Sequence, residues 1–334
     1  MACEVARSYR VVQIHSALRC NLACRHCYSL SGPRRTEELP LELVLRLIAD
    51  LPGLGFDAIS LSGGEPLMWP GLGPALSAAR EANLLTALTT NLMPLTRERL
   101  AILRDHLNFC AVSLDGIPES HDAIRGRRGA FAVMRSRLAD LRASGTPFGF
   151  IFTLTETNIE ELAWVARFAV EQGARLLQVH PLEEAGRAAT EMAGARPRDL
   201  MANAAYLACL RLQEALGDRL PVQLDLAHRG ALSREPWRAF GGVADTDPAL
   251  RLADVIDTLV IEADGTVSPI QHGFDRSYAL GNLAEAPLPV LAARWRSRGG
   301  PDQLRARCAA AVAKAVAEPH DLPAFNWHEA LAAA

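Results

Sequence analysis

The sequence predicts an α/β fold, namely a partial (β/α)6 TIM-like barrel with a small α+β C-terminal extension. Short β-type runs alternate with amphipathic stretches of helical periodicity between about residues 11 and 180, a pattern typical of parallel βα units. The alternation ends after residue 185. We therefore expect a barrel over residues 1–195 and a helical and β-hairpin extension over residues 196–334.

Six strands and five crossover helices are expected to alternate within the barrel. The strand candidates are short and rich in apolar and β-branched residues, and the helix candidates carry apolar residues at helical spacing. The strands are predicted at residues 11–15, 58–61, 84–89, 109–114, 148–154 and 176–180, and the helices at residues 41–51, 74–82, 97–106, 131–143 and 159–173.

The extension is predicted to contain a long helix and a β-hairpin. The helix covers about residues 198–216, a short β-type run follows at 223–227, and the hairpin lies within residues 255–270. Its turn falls at Asp264 and Gly265, a dipeptide that suits positive φ angles. The last segment, of about thirty residues, is rich in alanine and helical in pattern.

Composition and charge narrow the classes of protein. The chain has 334 residues, 49% of them hydrophobic and 22% charged, as in a globular protein with a substantial core. A formal net charge of -3 provides no general attraction for nucleic acid or for an anionic membrane. The sequence has no apolar run of about 18 residues and no signal-peptide region. We expect a cytoplasmic protein without a nucleic-acid or membrane partner.

Three of the seven cysteines lie within eight positions, directly after the first predicted strand. Cys20, Cys24 and Cys27 have the spacing C-x3-C-x2-C, and three thiolates on a short loop can bind three irons of a cubane cluster while the fourth iron stays open. The same spacing fits a structural zinc site completed by His26 or a remote residue, or coincidence. Isolated cysteines are usually small buried hydrophobic residues, which we expect of Cys3, Cys110, Cys209 and Cys308.

The segment RCNLACRHCY resembles the cysteine motif of the radical S-adenosylmethionine (SAM) superfamily. After the second strand, SGGEP is similar to the glycine-rich element that contacts the methionine amino group of SAM in that family, and SLDG after the fourth strand is similar to its ribose-contacting segment. The similarity includes HDAIRGRRGAF and covers roughly residues 11–190. It implies the cofactor-binding residues Ser62, Gly63, Gly64, Glu65, Pro66, Asn91, Ser113, Asp115, Arg125, Thr153 and His180.

The positions of these residues support a functional site separately from the resemblance. In parallel α/β barrels, functional residues collect at the carboxyl ends of the strands. Serine, threonine, asparagine and aspartate after a strand also cap helices, and for any single residue that explanation is equally good. Six candidates nevertheless fall at or just past the ends of six predicted strands, namely Cys20, Gly63, Asn91, Asp115, Thr153 and His180.

The glycine-rich element has physical reasons of its own for its composition. Gly63 and Gly64 lack a Cβ, so their backbone can approach a ligand closely and adopt unusual dihedral angles. Glu65 offers a carboxylate to an ammonium group. Both properties suit a site that binds the amino-acid end of a cofactor.

The resemblance implies a radical mechanism with SAM and one [4Fe-4S] cluster as cofactors. The open iron binds the amino and carboxylate groups of SAM, the reduced cluster donates one electron, and a 5'-deoxyadenosyl radical forms and abstracts a substrate hydrogen. The electron comes from a donor such as flavodoxin or ferredoxin. The protein itself orients the reactants and excludes water.

The extension departs from the family pattern at one position. Residues 261–283 resemble the opening of the SPASM or twitch module, which binds auxiliary clusters in peptide-modifying members. Ile270 stands where the pattern places a ligand cysteine. We therefore expect a single cluster and an extension that covers the substrate.

Three polar residues of the extension are candidates for acid-base catalysis. Asp225 and His228 lie at the end of the β-type run 223–227 and have the side chains that proton transfers use, although either could instead cap a turn. His272 lies beside Ile270 and could face the substrate, or it could be an ordinary buried or surface histidine. Arg125 could reach the cofactor carboxylate or simply cover a helix at the rim.

The predicted activity is hydrogen abstraction from a small natural-product precursor such as a sugar, nucleoside or amino acid. The missing auxiliary cysteine and the absence of an obvious leader-peptide recognition domain before Val11 favour this class. An alternative is a maturase that modifies a ribosomally made peptide. A second alternative is a non-catalytic iron-sulfur or zinc protein that binds a partner or senses redox state.

Overall fold

The structure is a computed structural model that describes residues 9–235, 239, 249–317 and 322–332. All six predicted strands are present, and each pairs in parallel with the next one along the chain. They are β1 (Val11–Ala17), β2 (Ala58–Gly63), β3 (Leu85–Thr90), β4 (Phe109–Ser113), β5 (Phe148–Leu154) and β6 (Leu177–Pro181). This confirms the predicted partial TIM-like architecture.

The crossover helices agree with the prediction, with one addition. They are α1 (Leu41–Leu54), α2 (Leu72–Glu81), α3 (Arg97–His106), α4 (Pro118–Arg125), α5 (Ala130–Ala143) and α6 (Leu162–Gln172). Helix α4 was not predicted because few of its eight residues, PESHDAIR, are apolar. A proline in its first turn and Gly126 at φ 64° after its last residue define its ends.

The two faces of the parallel sheet differ because successive side chains of a strand point in opposite directions. One face packs in the apolar core and carries Val12, Ile14, Ile59, Leu61, Leu88, Val112, Phe150, Phe152, Leu177 and Val179. The residues between them are half-buried and mostly small or polar, namely Gln13, Ser60, Ala87, Thr89, Ala111, Ile151, Gln178 and His180. The interior of the barrel is therefore suited to holding ligands.

The segment after β6 forms a series of shorter elements. The predicted long helix is present as α8, and the β-type run at 223–227 is divided between β7 and β8. In chain order the elements are α7 (Ala188–Glu191), α8 (Asp199–Leu216), β7 (Val222–Leu224), β8 (Ala227–His228), α9 (Arg229–Arg234), α10 (Leu252–Val255), β9 (Thr258–Ile261), β10 (Thr266–Pro269), β11 (Gly281–Asn282), α11 (Leu288–Ser297), α12 (Gly300–Ala317), β12 (Ala324–Phe325) and α13 (Trp327–Ala332).

The extension lengthens both edges of the barrel sheet. The order of strands is β11-β10-β9-β1-β2-β3-β4-β5-β6-β7, with β7 parallel to β6 and β9 parallel to β1. Strands β8 and β12 form a separate two-stranded sheet. Whether 195/196 is a domain boundary stays a prediction.

The predicted hairpin is formed by β9 and β10. The Gly265 N–H donates to the Glu262 carbonyl at 2.8 Å, and Gly265 has a φ of 85°, so the glycine supplies the positive angle expected of the turn. The hairpin lies directly beside β1, the strand that leads into the cysteine loop. Among the described residues, no helix is both long enough and apolar enough to cross a bilayer.

Candidate active site

The cysteine loop begins after β1 and returns to it. The Cys20 N–H donates to the Gly32 carbonyl at 3.2 Å, which closes the loop across twelve residues of chain. Cys20 and Cys24 are buried and Cys27 is half-buried, and all three thiols are free. The loop therefore presents three sulfurs that form no disulfide at the carboxyl end of the sheet.

Hydrogen-bond donors are directed at two of the buried sulfurs from distant parts of the chain. The Asn91 side-chain amide lies 3.9 Å from the Cys20 Sγ, which also receives the Leu22 N–H at 3.4 Å. The Arg125 Nη1 lies 3.8 Å from the Cys24 Sγ. Such donors stabilise sulfur best when it carries the negative charge of a thiolate.

The donor set fits an iron-sulfur cluster. Burial, followed by the charge of Glu65, raises the pKa of the Cys20 thiol to about 12, so this sulfur becomes a thiolate at neutral pH only beside a strong positive charge such as iron. The described residues contain no group of three histidine, cysteine or acidic side chains placed to hold one metal ion. A cubane does not need such a group, since each thiolate binds a different iron.

The glycine-rich element packs on the backbone that leads into the cysteine loop. The Gly64 N–H donates to the Ala17 carbonyl at 2.6 Å, and the Glu65 N–H donates to the Arg19 carbonyl at 2.9 Å. Gly63 has a φ of 110°, and a Cβ on Gly64 would overlap the Arg19 carbonyl. These glycines are therefore required by a contact between two backbone segments, whatever they also do for a ligand.

The Glu65 carboxylate is buried and accepts three hydrogen bonds from protein groups. Its donors are the Thr90 hydroxyl at 2.6 Å, the Asn91 N–H at 2.9 Å and the Leu67 N–H at 3.1 Å. Glu65 thus joins the end of β2 to the end of β3 and fixes the residue whose amide reaches Cys20. Its predicted contact with the cofactor ammonium group stays a prediction.

Asp115 and Arg125 form a buried ion pair beside Cys24. The Arg125 Nε and Nη2 lie 2.6 and 3.2 Å from the two Asp115 carboxylate oxygens. Although burial opposes ionisation of Asp115, the guanidinium charge outweighs it and lowers the pKa of the carboxyl. The ribose contact predicted for Asp115 and the carboxylate contact predicted for Arg125 stay predictions, but the pair itself holds a cation near Cys24.

Four other predicted cofactor residues lie at the strand ends. Ser62 is the next-to-last residue of β2, and Pro66 begins the short turn after Glu65. Ser113 is the last residue of β4 and Thr153 is the next-to-last residue of β5, and each is 8% exposed. Their cofactor contacts stay predictions.

His180 and Asp225, which were singled out for different roles, are paired in the structure. The His180 Nδ1 lies 2.9 Å from an Asp225 carboxylate oxygen, and the other oxygen receives the Gln223 side-chain amide at 2.8 Å. Burial lowers the pKa of His180, but the hydrogen bond and charge of Asp225 outweigh it and raise the pKa. The side chain of His180 is 36% exposed, so the imidazole remains accessible.

The other two catalytic candidates have different surroundings. The His228 Nδ1 accepts the Ala231 N–H at 3.3 Å and caps α9, which is the capping role that the sequence left open. His272 stacks on His15 with ring centroids 4.4 Å apart and an angle of 15° between the rings. Of the two, only His272 contacts the cysteine loop, through an edge contact between its ring and the ring of Tyr28.

A clamp on the cysteine loop was missed by the sequence analysis. The Arg187 side chain donates to the carbonyls of Cys24 (2.9 Å) and Ser31 (2.6 Å), and its backbone N–H donates to the Cys27 carbonyl at 2.9 Å. Gly186, with a φ of 58°, packs against the Cys27 carbonyl so closely that a Cβ would overlap it. The glycine after β6 was the only sequence signal for this contact.

The isolated cysteines behave as predicted where they are described. Cys110 and Cys308 are fully buried, and Cys209 is 6% exposed. Cys3 lies outside the described residues.

Comparison with known proteins defines the class of protein. Residues 14–169 match the Radical SAM superfamily, whose members characteristically use a [4Fe-4S] cluster and SAM. This range contains the cysteine loop, the glycine-rich element and the buried ion pair. The chain carries a radical SAM domain that belongs to this superfamily.

Particular relatives share parts of the chain. Fe-coproporphyrin III synthase of Methanosarcina barkeri is 34% identical over 179 residues, which are 53% of this chain and 45% of that protein. PqqA peptide cyclase of Ruegeria pomeroyi is 33% identical over 193 residues, 56% of this chain and 51% of that protein. This chain therefore spans about half the length of these curated relatives.

A solved structure shares the fold. Streptococcus suis SuiB bound to S-adenosylmethionine has a TM-score of 0.65 and 16% sequence identity, and the match covers 84% of this chain and 64% of that one. The likeness extends beyond the barrel into the extension.

Breaking the contacts of the Arg187 clamp with the cysteine loop should weaken binding of the cluster. Arg187→Met removes two hydrogen bonds to the loop, and Gly186→Ala forces the segment away from Cys27. Each should lower the affinity for the cluster by about tenfold, as is typical of groups that position metal ligands. Iron and sulfide content after anaerobic reconstitution with limiting iron, and the rate of cluster loss to a chelator, measure this.

Two substitutions on the same segment serve as controls for the clamp. Arg198 is largely exposed and pairs with Glu156, and Gly194 has a φ of 77° with open space at its Cβ position. Arg198→Met and Gly194→Ala should leave cluster retention unchanged. Equal losses in all four variants would show that the segment has no specific role.

The buried carboxyl of Glu65 should make the stability of the folded chain depend on pH. Burial raises the pKa of its carboxyl from 4.5 to about 6, against the smaller effect of its hydrogen bonds. The folded chain thus holds this proton more tightly than the unfolded chain, so its stability falls as pH rises between about 4.5 and 6, by about 2 kcal/mol. Glu65→Gln should remove that component in urea unfolding of the cluster-free protein. If the free energy of unfolding depends on pH in the same way in the wild type and in Glu65→Gln, then Glu65 is not a buried carboxyl that titrates in this range.

Proposed function

We propose that this chain is a radical SAM enzyme that abstracts hydrogen from a small natural-product precursor. The observation that carries the proposal is the position of three free thiols at one rim of a barrel with a polar interior. Hydrogen-bond donors from the ends of β3 and α4 reach two of these thiols. When bound, the cluster and SAM supply an electron and a 5'-deoxyadenosyl group, so that cleavage of the C5'–S bond generates the hydrogen-abstracting species.

The side chains of this chain would hold and orient those groups. Cys20, Cys24 and Cys27 would ligate three irons, with Asn91 and Arg125 donating hydrogen bonds to the sulfurs. Preorganised donors need no rearrangement during reaction, which is how a protein favours a charged or short-lived species. The half-buried polar row inside the barrel would hold SAM and substrate away from bulk water.

The His180–Asp225 pair would manage a proton of the substrate. Asp225 fixes the tautomer and orientation of the imidazole through Nδ1, which leaves Nε2 for the substrate. The raised pKa of His180 suits a group that donates or accepts a proton near neutral pH. Asp225 acts through His180, so it is a positioning residue.

The extension supports the proposed substrate class. A cluster needs several thiolates, and the resemblance to the SPASM or twitch module places a ligand cysteine where Ile270 stands. Without an auxiliary cluster, redox-neutral outcomes such as epimerisation, rearrangement or decarboxylation become the natural ones. The likeness to a protein named Fe-coproporphyrin III synthase supports action on a small molecule.

The second candidate is a maturase that modifies a ribosomally made peptide. The likeness to a protein named PqqA peptide cyclase favours it. In this reading the same barrel interior would receive a segment of peptide, and the cluster and SAM would serve the same chemistry. A flavodoxin- or ferredoxin-type donor would supply the electron for either substrate.

Formation of 5'-deoxyadenosine tests the proposed activity. The anaerobically reconstituted protein with SAM and dithionite should produce it, and Cys24→Ser should lower the rate by at least about a hundredfold because an iron ligand is lost. Cys209→Ser, at an isolated buried position, is the control and should retain the rate. If the cluster-loaded protein forms none, even with candidate substrates, a non-catalytic iron-sulfur role is the better explanation.

Iron content tests the single-cluster prediction. A [4Fe-4S] cluster on one loop predicts about four irons per chain, and the combined Cys20→Ser, Cys24→Ser and Cys27→Ser variant should retain almost none. About eight irons in the wild type, or about four left in the triple variant, would show that a second cluster binds elsewhere.

A further inference from the structure

The loop after β10 carries two anomalies on adjacent residues. Ile270 has a φ of 66°, which a β-branched side chain rarely adopts, and it is held there by a hydrogen bond from its N–H to the Thr258 carbonyl at 3.0 Å. The Gln271 side-chain carbonyl oxygen is buried without a partner among the described residues. Strain and unpaired polar groups of this kind collect where a protein contacts a ligand.

The next residue of the loop, His272, contacts a residue that is itself unusual. His272 stacks on His15, which is fully buried and has no hydrogen-bond partner for either ring nitrogen within the described chain. Leaving a buried polar group unpaired is costly, so a molecule that pairs these nitrogens would be favoured. Tyr28 lies against the edge of the His272 ring, with centroids 5.1 Å apart, and connects this stack to the cysteine loop.

Glu183 supplies the charge next to this stack. Its carboxylate lies 3.8 Å from the His180 Nε2 and 3.6 Å from the His328 Nδ1, beyond ordinary hydrogen-bond distance in both cases. The segment that carries Glu183 packs on Tyr28, since a Cβ on Gly186 would overlap the Tyr28 carbonyl. Burial lowers the pKa of His272, and the charges of Glu262 and Glu183 oppose that effect.

The other charges at this rim are already engaged. Arg276 pairs with Glu262 at 3.1 Å and with Asp264 at 2.7 Å, and Asp225 pairs with His180. The Glu183 carboxylate accepts no hydrogen bond from the described residues, because its two histidine neighbours stay 3.6 and 3.8 Å away. It is therefore the carboxylate at this rim with capacity for a ligand.

We propose that His15, the loop of residues 270–272 and Glu183 form the substrate subsite, and that it binds an ammonium group. This inference rests on the proposed function and deepens it. The unpaired acceptors are the Gln271 oxygen, the Glu183 carboxylate and one nitrogen of His15, and the other nitrogen of His15 is an unpaired donor. A ligand that is cationic and rich in N–H or O–H donors matches this set, so the substrate is a small amine.

Matched pairs of small molecules test the amine preference. The probes are glucosamine with glucose and tyramine with 4-ethylphenol, and the members of each pair differ only at the position of the amino group. Each probe is titrated calorimetrically into the anaerobic, cluster-loaded protein with SAM. We expect at least one amine to bind about tenfold more tightly than its partner, the effect of one charge-assisted hydrogen bond. Glu183→Gln should abolish that difference, and Glu184→Gln, with the same charge change one residue away, should retain it.

A second variant keeps the test independent of the first. His15→Phe preserves the stack on His272 but removes both unpaired nitrogens, so it should weaken amine binding and also raise the melting temperature of the ligand-free protein. Equal binding within both pairs, no binding of any probe, or an unchanged preference in Glu183→Gln would overturn the proposal. Formation of 5'-deoxyadenosine without added substrate is measured on the same samples, so failure of this subsite is distinguishable from failure of the radical activity.

Discussion

The contact between the glycine-rich element and the backbone after β1 is the constraint on which the rest of the site depends. The hydrogen bond from Gly64 to Ala17 and the one from Glu65 to Arg19 bring two backbone segments together with no room for a side chain. This contact places the start of the cysteine loop relative to β2. A residue with a Cβ at Gly64 would displace the loop before any cofactor bound.

The consequences of that contact extend from strand to strand. Glu65, fixed by its own backbone, holds the end of β3 through Thr90 and Asn91, and the Asn91 amide then reaches Cys20. On the other side of the loop, Arg125 reaches Cys24 while its charge is balanced by Asp115. Breaking such a buried ion pair costs several kcal/mol. The two charges therefore stay in place and form a fixed dipole beside the sulfurs.

Sequence patterns were sufficient to predict the elements of the barrel, because alternating runs with periods of 2 and 3.6 residues are local properties. They also placed the candidate residues at the strand ends. They could not predict that Glu65 bonds to Thr90, that His180 pairs with Asp225 across 45 positions, or that Arg187 binds the carbonyl of Cys24. These contacts depend on which strand ends become neighbours, and polar side chains carry no periodic signal for it.

The extension contributes to the site because it joins the barrel at both edges. Strand β7 brings Asp225 to His180 at one edge, and the hairpin of β9 and β10 brings His272 to His15 at the other. Glu183, in the segment after β6, acts on groups from both sides. The hairpin holds its position beside β1 through parallel pairing of β9 with that strand. The extension thus supplies polar side chains where the interior of the barrel opens, so the shape of the site depends on both parts of the chain.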